Sequence, residues 1–117
     1  MPTPIELRFN REQRVLFLRF NEHKTPFELS YEFLRVHSPS AEVQGHRPEE
    51  AILQYGKKNV VITEVESVGN YGIKPLFNDG HTTGIYTWDY LYHLATHQDQ
   101  LWQNYLNALE VAKLNRE

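Results

Sequence analysis

Four residues in the middle of the chain have side chains that could bind a transition metal. His37, Glu42 and His46 lie close together in one loop-like stretch, and His81 follows a predicted turn. A neutral imidazole is the commonest side-chain ligand for such metals, so this set could bind iron or zinc weakly. Histidines are also common in surface loops without any ligand role, and a four-ligand site needs a specific geometry. The sequence therefore leaves open whether the protein binds a metal or has no cofactor.

Two groups of residues match parts of known catalytic sites without completing one. The residue types of a hydrolytic triad are present at Ser38, Ser40, Asp79 and His81. Neither serine lies in the Gly-x-Ser-x-Gly turn that exposes a nucleophile. The His-x-Asp sequence at residues 97–99 matches half of an iron-binding facial triad, but no further histidine follows it. We therefore predict no catalytic residue and no enzymatic activity.

The charge and composition of the 117 residues argue against several classes of protein. Lys and Arg number 12 against 15 Asp and Glu, and this net charge of −3 disfavours a nucleic-acid module. No apolar run approaches the ~18–20 residues of a membrane helix, and no secretory signal is visible, so we expect a cytoplasmic protein. Because the chain has no cysteine, it has no thiolate metal ligand and no cysteine nucleophile. The length fits a single domain over residues 1–117.

The first part of the chain has the alternating hydrophobicity of antiparallel strands. Three strands and one helical turn are predicted here, over residues 5–9, 14–20, 27–29 and 31–35. In the second strand Leu16, Leu18 and Phe20 fall on one face, the spacing typical of a strand with one buried side. Ser30 can cap the helical turn that follows the third strand.

The second part of the chain begins with an irregular stretch and ends in helices. After a loop over residues 37–50, three strands and two helices are predicted, over residues 59–66, 71–77, 83–86, 88–95 and 99–114. Asn78-Asp79-Gly80 supplies the turn of the last hairpin, because Asp-Gly readily adopts positive φ. The prediction is an α+β fold, with mainly antiparallel twisted sheets in the first three-quarters and helices at the C-terminal end.

The last predicted helix has a broad apolar stripe that could serve either of two purposes. Trp102 and Tyr105 lie on this stripe together with several leucines. They could pack against the rest of the chain, or they could form the seam of a homodimer.

Three ordered blocks of the sequence resemble a known family. The blocks are LRVHSPSAEVQGH at residues 34–46, VGNYGIKPLFNDGH at residues 68–81 and TGIYTWDYLY at residues 83–92. Together they are similar to the gamma-butyrobetaine hydroxylase-like N-terminal domain family, in its small stand-alone bacterial form. The resemblance covers residues 5–95 and leaves residues 98–117 as an added C-terminal helix.

The resemblance implies that a metal site of the family is lost in this chain. In the full-length hydroxylases the module holds a structural zinc ion with three cysteines and one histidine, at positions that match Ser38, Ser40, Val43 and His81. Two hydroxyls and an isopropyl group cannot replace three thiolates, so we expect His81 to be the remnant of that site. The separate iron- and 2-oxoglutarate-dependent catalytic domain has no counterpart here, so hydroxylase activity is not expected.

The expected function is that of a non-catalytic binding or accessory module that acts through an unidentified protein partner. Similar modules are fused to P-loop scaffold ATPases of iron–sulfur cluster assembly, which implies a context in iron or iron–sulfur metabolism. The alternative is a carrier or sensor that binds iron or zinc weakly through His81 and residues 37–46. The surface most suited to a partner is the loop over residues 37–50 beside the His81 turn.

Overall fold

The computed structural model describes residues 3–45 and 47–117, without the side chain of Pro48, as an α+β fold. Two three-stranded antiparallel sheets are connected through short helices, and two longer helices follow at the C-terminal end. The elements in chain order are β1 (Pro4–Asn10), β2 (Val15–Phe20), β3 (Phe27–Ser30), α1 (Tyr31–Val36), α2 (Ala41–Gln44), a 3-10 turn (Pro48–Glu50), β4 (Ile62–Val68), β5 (Gly72–Phe77), β6 (Tyr86–Thr87), α3 (Trp88–Thr96) and α4 (Gln98–Ala112). This architecture confirms the predicted fold class.

The first sheet contains β1, β2 and β3 in that order, with β2 at its centre. Leu16, Leu18 and Phe20 of β2 are completely buried, as their alternation predicts. The hairpin between β1 and β2 closes at a turn in which the Asn10 side chain accepts the Gln13 N–H at 3.0 Å. The sheet therefore presents one apolar face to the core.

Serine hydroxyls begin the two short helices that follow the first sheet. The Ser30 Oγ accepts the Phe33 N–H at 2.9 Å and begins α1, as predicted. The Ser40 Oγ accepts the Glu42 N–H at 3.1 Å and begins α2. The stretch predicted as a loop is therefore partly helical, because a serine cap and Gly45, at φ +69°, enclose four residues that can form a turn of helix.

The second sheet has β5 at its centre, and the bounds of its two outer strands differ from the prediction. β5 pairs along its whole length with β4, which begins at Ile62 rather than at residue 59. β6 contributes only Tyr86 and Thr87, which pair with the first two residues of β5. The strand predicted over residues 83–86 is therefore wrong except at Tyr86.

The turn after β5 is present where the sequence predicts it. The Gly80 N–H donates to the Phe77 carbonyl oxygen at 3.2 Å, and Gly80 has φ +88°. Beyond this turn, residues 82–85 leave the strand ladder and pass against Ser38. Gly84 comes so close that a Cβ added there would lie 2.5 Å from the Ser38 Oγ. This close approach explains why the hairpin does not continue directly from the turn.

The core combines side chains from both sheets with those of α1 and α3. Its fully buried members include Leu18, Leu34, Tyr86 and Leu91. α3 begins at Thr87 as predicted, since the Thr87 Oγ1 accepts the Tyr90 N–H at 3.1 Å. Within the described residues, no helix is long and apolar enough to cross a membrane.

α4 packs against its own chain. Tyr105 is buried in a second, smaller apolar cluster with Val36 of α1, and Trp102 lies half-buried beside them. Beyond the helix, the Arg116 guanidinium binds both oxygens of the buried Glu32 carboxylate, at 2.9 and 2.7 Å. The apolar stripe is thus largely used within the chain, and a homodimer through α4 stays a prediction.

Candidate functional site

Ser38 and His81 form a buried hydrogen bond at the centre of the predicted site. The Ser38 Oγ lies 2.7 Å from the His81 Nε2, and the two residues are 0% and 6% exposed. On the other side of the imidazole, the Glu42 Oε2 lies 3.5 Å from the Nδ1. α2 supplies Glu42, the segment before α2 supplies Ser38, and the turn after β5 supplies His81. The structure therefore places a carboxylate, an imidazole and a hydroxyl side by side in that order.

The surroundings of His81 favour an uncharged imidazole. Burial lowers the pKa of His81 and the Arg35 charge lowers it further, against the opposing effects of Glu42 and Asp79. A neutral imidazole carries one N–H, and the Glu42 carboxylate favours that proton on the Nδ1. The Nε2 then accepts the hydroxyl proton of Ser38.

Asp79 holds the turn that carries His81. Its Oδ2 accepts hydrogen bonds from the Arg35 Nε at 2.9 Å and the Lys57 Nζ at 2.7 Å, and its Oδ1 accepts the His81 N–H at 3.2 Å. Burial acts to raise the pKa of Asp79, but these hydrogen bonds and the Arg35 charge lower it overall. The carboxylate beside the imidazole is therefore that of Glu42. Asp79, which the sequence suggested for a triad, instead holds the backbone of the turn that carries His81.

The order Glu42, His81, Ser38 resembles the acid, base and nucleophile of hydrolases, but the hydroxyl is enclosed. The Ser38 Oγ also accepts the Ser40 N–H at 3.2 Å. Because a Cβ added at Gly84 would already lie 2.5 Å from this oxygen, a substrate atom has no room on that side. In this arrangement the hydroxyl stabilises the fold by hydrogen bonding.

The three metal-ligand candidates that the structure describes, His37, Glu42 and His81, are not brought together. Glu42 and His81 are neighbours, but the His37 Nδ1 lies 2.9 Å from the Phe33 carbonyl oxygen, and its ring packs against the Phe33 ring at 4.6 Å. His46 lies outside the residues that the structure describes. Across residues 3–45 and 47–117, no group of three or more His, Asp or Glu side chains could hold a metal ion. A weak iron or zinc site at these four residues stays a prediction.

A groove of about 330 Å³ opens between α2, α4 and the segment over residues 51–54. We call it the α2–α4 groove, and its lining includes Val36, His37, Val43, Leu53, Leu101 and Tyr105. The Tyr105 hydroxyl donates to the Gln54 carbonyl oxygen at 2.9 Å, which joins the segment to α4. In this segment Ile52, which lines the groove, is 61% exposed, and Tyr55, which directly follows the segment, is 57% exposed.

Sequence reasoning missed this groove and placed the partner surface on the loop over residues 37–50 beside the His81 turn. The signal that could have found it is the run Ala51-Ile52-Leu53, followed by Tyr55. These apolar side chains belong to no predicted strand or helix, so nothing in the predicted elements would bury them.

A family model described as gamma-butyrobetaine hydroxylase-like, N-terminal, matches residues 7–92, well over half of the chain. The chain belongs to the gamma-butyrobetaine hydroxylase-like N-terminal family. The match includes the segments that carry Ser38, Glu42 and His81, and it ends before α4.

Solved structures similar to this family member extend the likeness over the whole chain. Two solution NMR structures are 49% and 47% identical to it, cover 100% of it and 91% and 86% of their own chains, and give TM-scores of 0.86 and 0.83. A crystal structure from Acidithiobacillus ferrooxidans, of a protein of unknown function in the DUF971 family, is 36% identical, with a TM-score of 0.64. It covers 79% of this chain and 91% of its own. No curated protein matches the chain.

The residues of this family member do not fit a zinc ion at the positions where the resemblance places one. Ser38 and His81 bind each other, and the Ser40 Oγ lies 2.8 Å from the Thr83 Oγ1. Val43 is buried and offers no donor atom. A structural zinc site requires thiolates or several imidazoles, and this set contains one imidazole. The segment that carries Ser38 and Ser40 is hydrogen-bonded to the segment that carries His81 and Thr83 at the place where those ligands would converge.

Proposed function

We propose that this family member is a non-catalytic binding module that acts through a partner protein held in the α2–α4 groove. The observation that carries the proposal is the groove itself, with its mainly apolar lining, the exposed side chain of Ile52 in that lining, and the exposed side chain of Tyr55 next to it in sequence. Exposed apolar surface of this kind is typical of protein interaction sites. The polar side chains of Ser38, Ser40 and His81 are instead engaged in internal hydrogen bonds.

The hydrogen bonds around Ser38 position one wall of the groove. The Gln44 Nε2 donates to the Ser38 carbonyl oxygen at 2.8 Å, and the Ser38 side chain binds His81. The Val43 carbonyl oxygen accepts the Ile52 N–H at 2.7 Å, which joins α2 to the segment that forms the opposite edge. In this proposal, the hydrogen bonds of Ser38 with His81 and Gln44, at positions that match the family's metal site, support one wall of the partner surface.

The groove suits a large apolar side chain of a partner. Its volume of about 330 Å³ is at the lower end of the range for small-molecule pockets. Burial lowers the pKa of His37, which lines the groove, so this imidazole is uncharged at neutral pH. An uncharged and mainly apolar lining favours an aromatic or aliphatic anchor residue.

We propose a cytoplasmic partner from iron or iron–sulfur metabolism. The support for this context is the resemblance alone, because similar modules are fused to scaffold ATPases of iron–sulfur cluster assembly. Such an ATPase is therefore the first partner to test directly.

The proposal is tested by affinity capture from a lysate of the native organism, with three versions of the chain. The first is the wild type and the second carries Ile52→Asp with Tyr55→Ala. The third carries Ile5→Asp, a matched control at an apolar side chain on β1 that is 52% exposed. We expect a protein that the wild type and the control retain and that the groove variant loses by tenfold or more, the effect of about 1.4 kcal/mol.

Two results would overturn parts of the proposal. Identical capture by the groove variant and the control would remove the α2–α4 groove as the binding site. Turnover of a defined compound by the purified chain would contradict a non-catalytic role. Circular dichroism of all three versions confirms that loss of capture does not result from unfolding.

A further inference from the structure

His93 and His97 lie side by side at the junction between α3 and α4. Their ring centroids are 4.6 Å apart, and the two rings are inclined by 33°. Both residues are exposed. A spacing of four residues places side chains on one face of a helix, which accounts for the close approach. Neither residue takes part in the Ser38–His81 cluster or lines the α2–α4 groove.

Hydrogen bonding fixes the tautomer of His97. Its Nδ1 lies 3.0 Å from the His93 carbonyl oxygen and 3.1 Å from the Thr96 Oγ1. The carbonyl oxygen can only accept, so the Nδ1 carries the proton and donates it. The Nε2 of His97 is then unprotonated, and its lone pair can bind a metal ion. Metal-binding histidines typically show this arrangement, in which the second ring nitrogen donates to a carbonyl or carboxylate oxygen.

The position of His97 is also well defined by the backbone. His97 follows the last residue of α3, and its carbonyl oxygen accepts the Leu101 N–H at 3.0 Å to begin α4. Asp89 lies one turn before His93 in α3, but it does not complete a group of three ligands with the two histidines. The two imidazoles are therefore held next to each other on a surface that can accept a cation.

We propose that His93 and His97 bind one divalent transition-metal ion, with water completing the coordination. Imidazole ligands suit copper, nickel and zinc, and the general order of affinity favours Cu²⁺ over Ni²⁺ and Zn²⁺. Because the described residues contain no group of three ligands, the ion is held by two side chains and exchanges readily. Neither histidine is among the residues that line the proposed partner groove.

The test uses the chain without a histidine tag and CuCl₂ as the probe. In ¹H–¹⁵N NMR spectra, substoichiometric Cu²⁺ should broaden the amide signals around His93 and His97 first. Calorimetric titration should show that His93→Ala and His97→Ala each weaken Cu²⁺ binding by about 10²-fold, because the second imidazole of a chelating pair binds intramolecularly. His23→Gln is the control, since it removes a histidine whose ring packs against Phe27, and we expect unchanged affinity.

His93→Ala is the decisive variant because, within the described residues, no hydrogen bond involves the His93 imidazole. The fold should therefore tolerate its removal even if His97→Ala disturbs the helix junction. Equal Cu²⁺ affinity in the wild type and His93→Ala would overturn the proposal. Line broadening centred on another part of the chain, or no binding by the wild type, would overturn it as well.

Discussion

Two histidines, His37 and His81, are buried or half-buried in the folded chain with a pKa below the ordinary value of 6.5. The main cause at both positions is burial, which disfavours the charged imidazole. The unfolded chain takes up protons on these residues near pH 6.5, whereas the folded chain does so only at lower pH. Each histidine therefore contributes stability above about pH 6.5 that is lost as the pH falls towards its folded pKa.

We predict that the free energy of unfolding falls between about pH 7.5 and about pH 5.5, by at most about 1.4 kcal/mol per pH unit for each histidine. Urea unfolding at the two pH values measures this change. The pKa of Asp79 is lowered from 3.8, so its contribution is lost only at lower pH and does not enter this range. In His81→Gln the dependence should be smaller. A stability that is constant or that rises on acidification would contradict the prediction.

At the scale of elements, the segment between the turn after β5 and β6 crosses Ser38 without room for a side chain. We predict that Gly84→Ala lowers the free energy of unfolding by about 1–3 kcal/mol, because the new methyl group overlaps the Ser38 Oγ. The same substitution should cost less in a Ser38→Ala background, where that oxygen is absent. Urea unfolding of the single and double variants measures the coupling.

Gly80→Ala provides the matched control for this double-mutant cycle. Gly80 has φ +88°, but a Cβ added there meets nothing within 4 Å. Its substitution should cost about 1–2 kcal/mol from backbone strain alone, and equally with or without the Ser38 hydroxyl. If Gly84→Ala lowered the free energy of unfolding equally in the wild type and in the Ser38→Ala background, the result would contradict close packing of this segment on the Ser38 hydroxyl.

At the scale of the whole molecule, the end of the chain closes onto segments far away in sequence. The Gly56 N–H donates to the Asn115 carbonyl oxygen at 3.1 Å, and the Lys58 N–H donates to the Arg116 carbonyl oxygen at 3.0 Å. The Arg116 side chain pairs with Glu32 of α1. The segment that the resemblance leaves as an added helix is thus bound to both halves of the fold, and we expect its removal to destabilise the chain.

We predict that Arg116→Ala lowers the free energy of unfolding by about 1–3 kcal/mol. Breaking a buried ion pair costs about 3–5 kcal/mol, but the Arg116 side chain is 38% exposed and water screens the pair. Lys58→Ala is the control, because its pair with Glu117 is exposed at both ends and should contribute less than about 0.5 kcal/mol. Urea unfolding compares the two, and equal effects would argue against a structural role for the Glu32 pair.

The sequence by itself determined the features that depend on near neighbours. The alternation of Leu16, Leu18 and Phe20 predicted the buried face of β2, and Ser30 and Thr87 predicted where α1 and α3 begin. These features follow from side-chain period and from capping bonds that span three residues, so a local reading is sufficient. The family blocks and the absence of cysteine likewise needed no coordinates.

Only the tertiary structure decided which residues meet. It placed the carboxylate of Glu42 rather than that of Asp79 beside the His81 imidazole, enclosed the Ser38 hydroxyl, and formed the α2–α4 groove. The Ser38–His81 bond joins residues 43 positions apart, and the bond from Tyr105 to Gln54 joins residues 51 apart. Contacts over such separations depend on how the two sheets and the helices pack together, and no local pattern of residues specifies that packing.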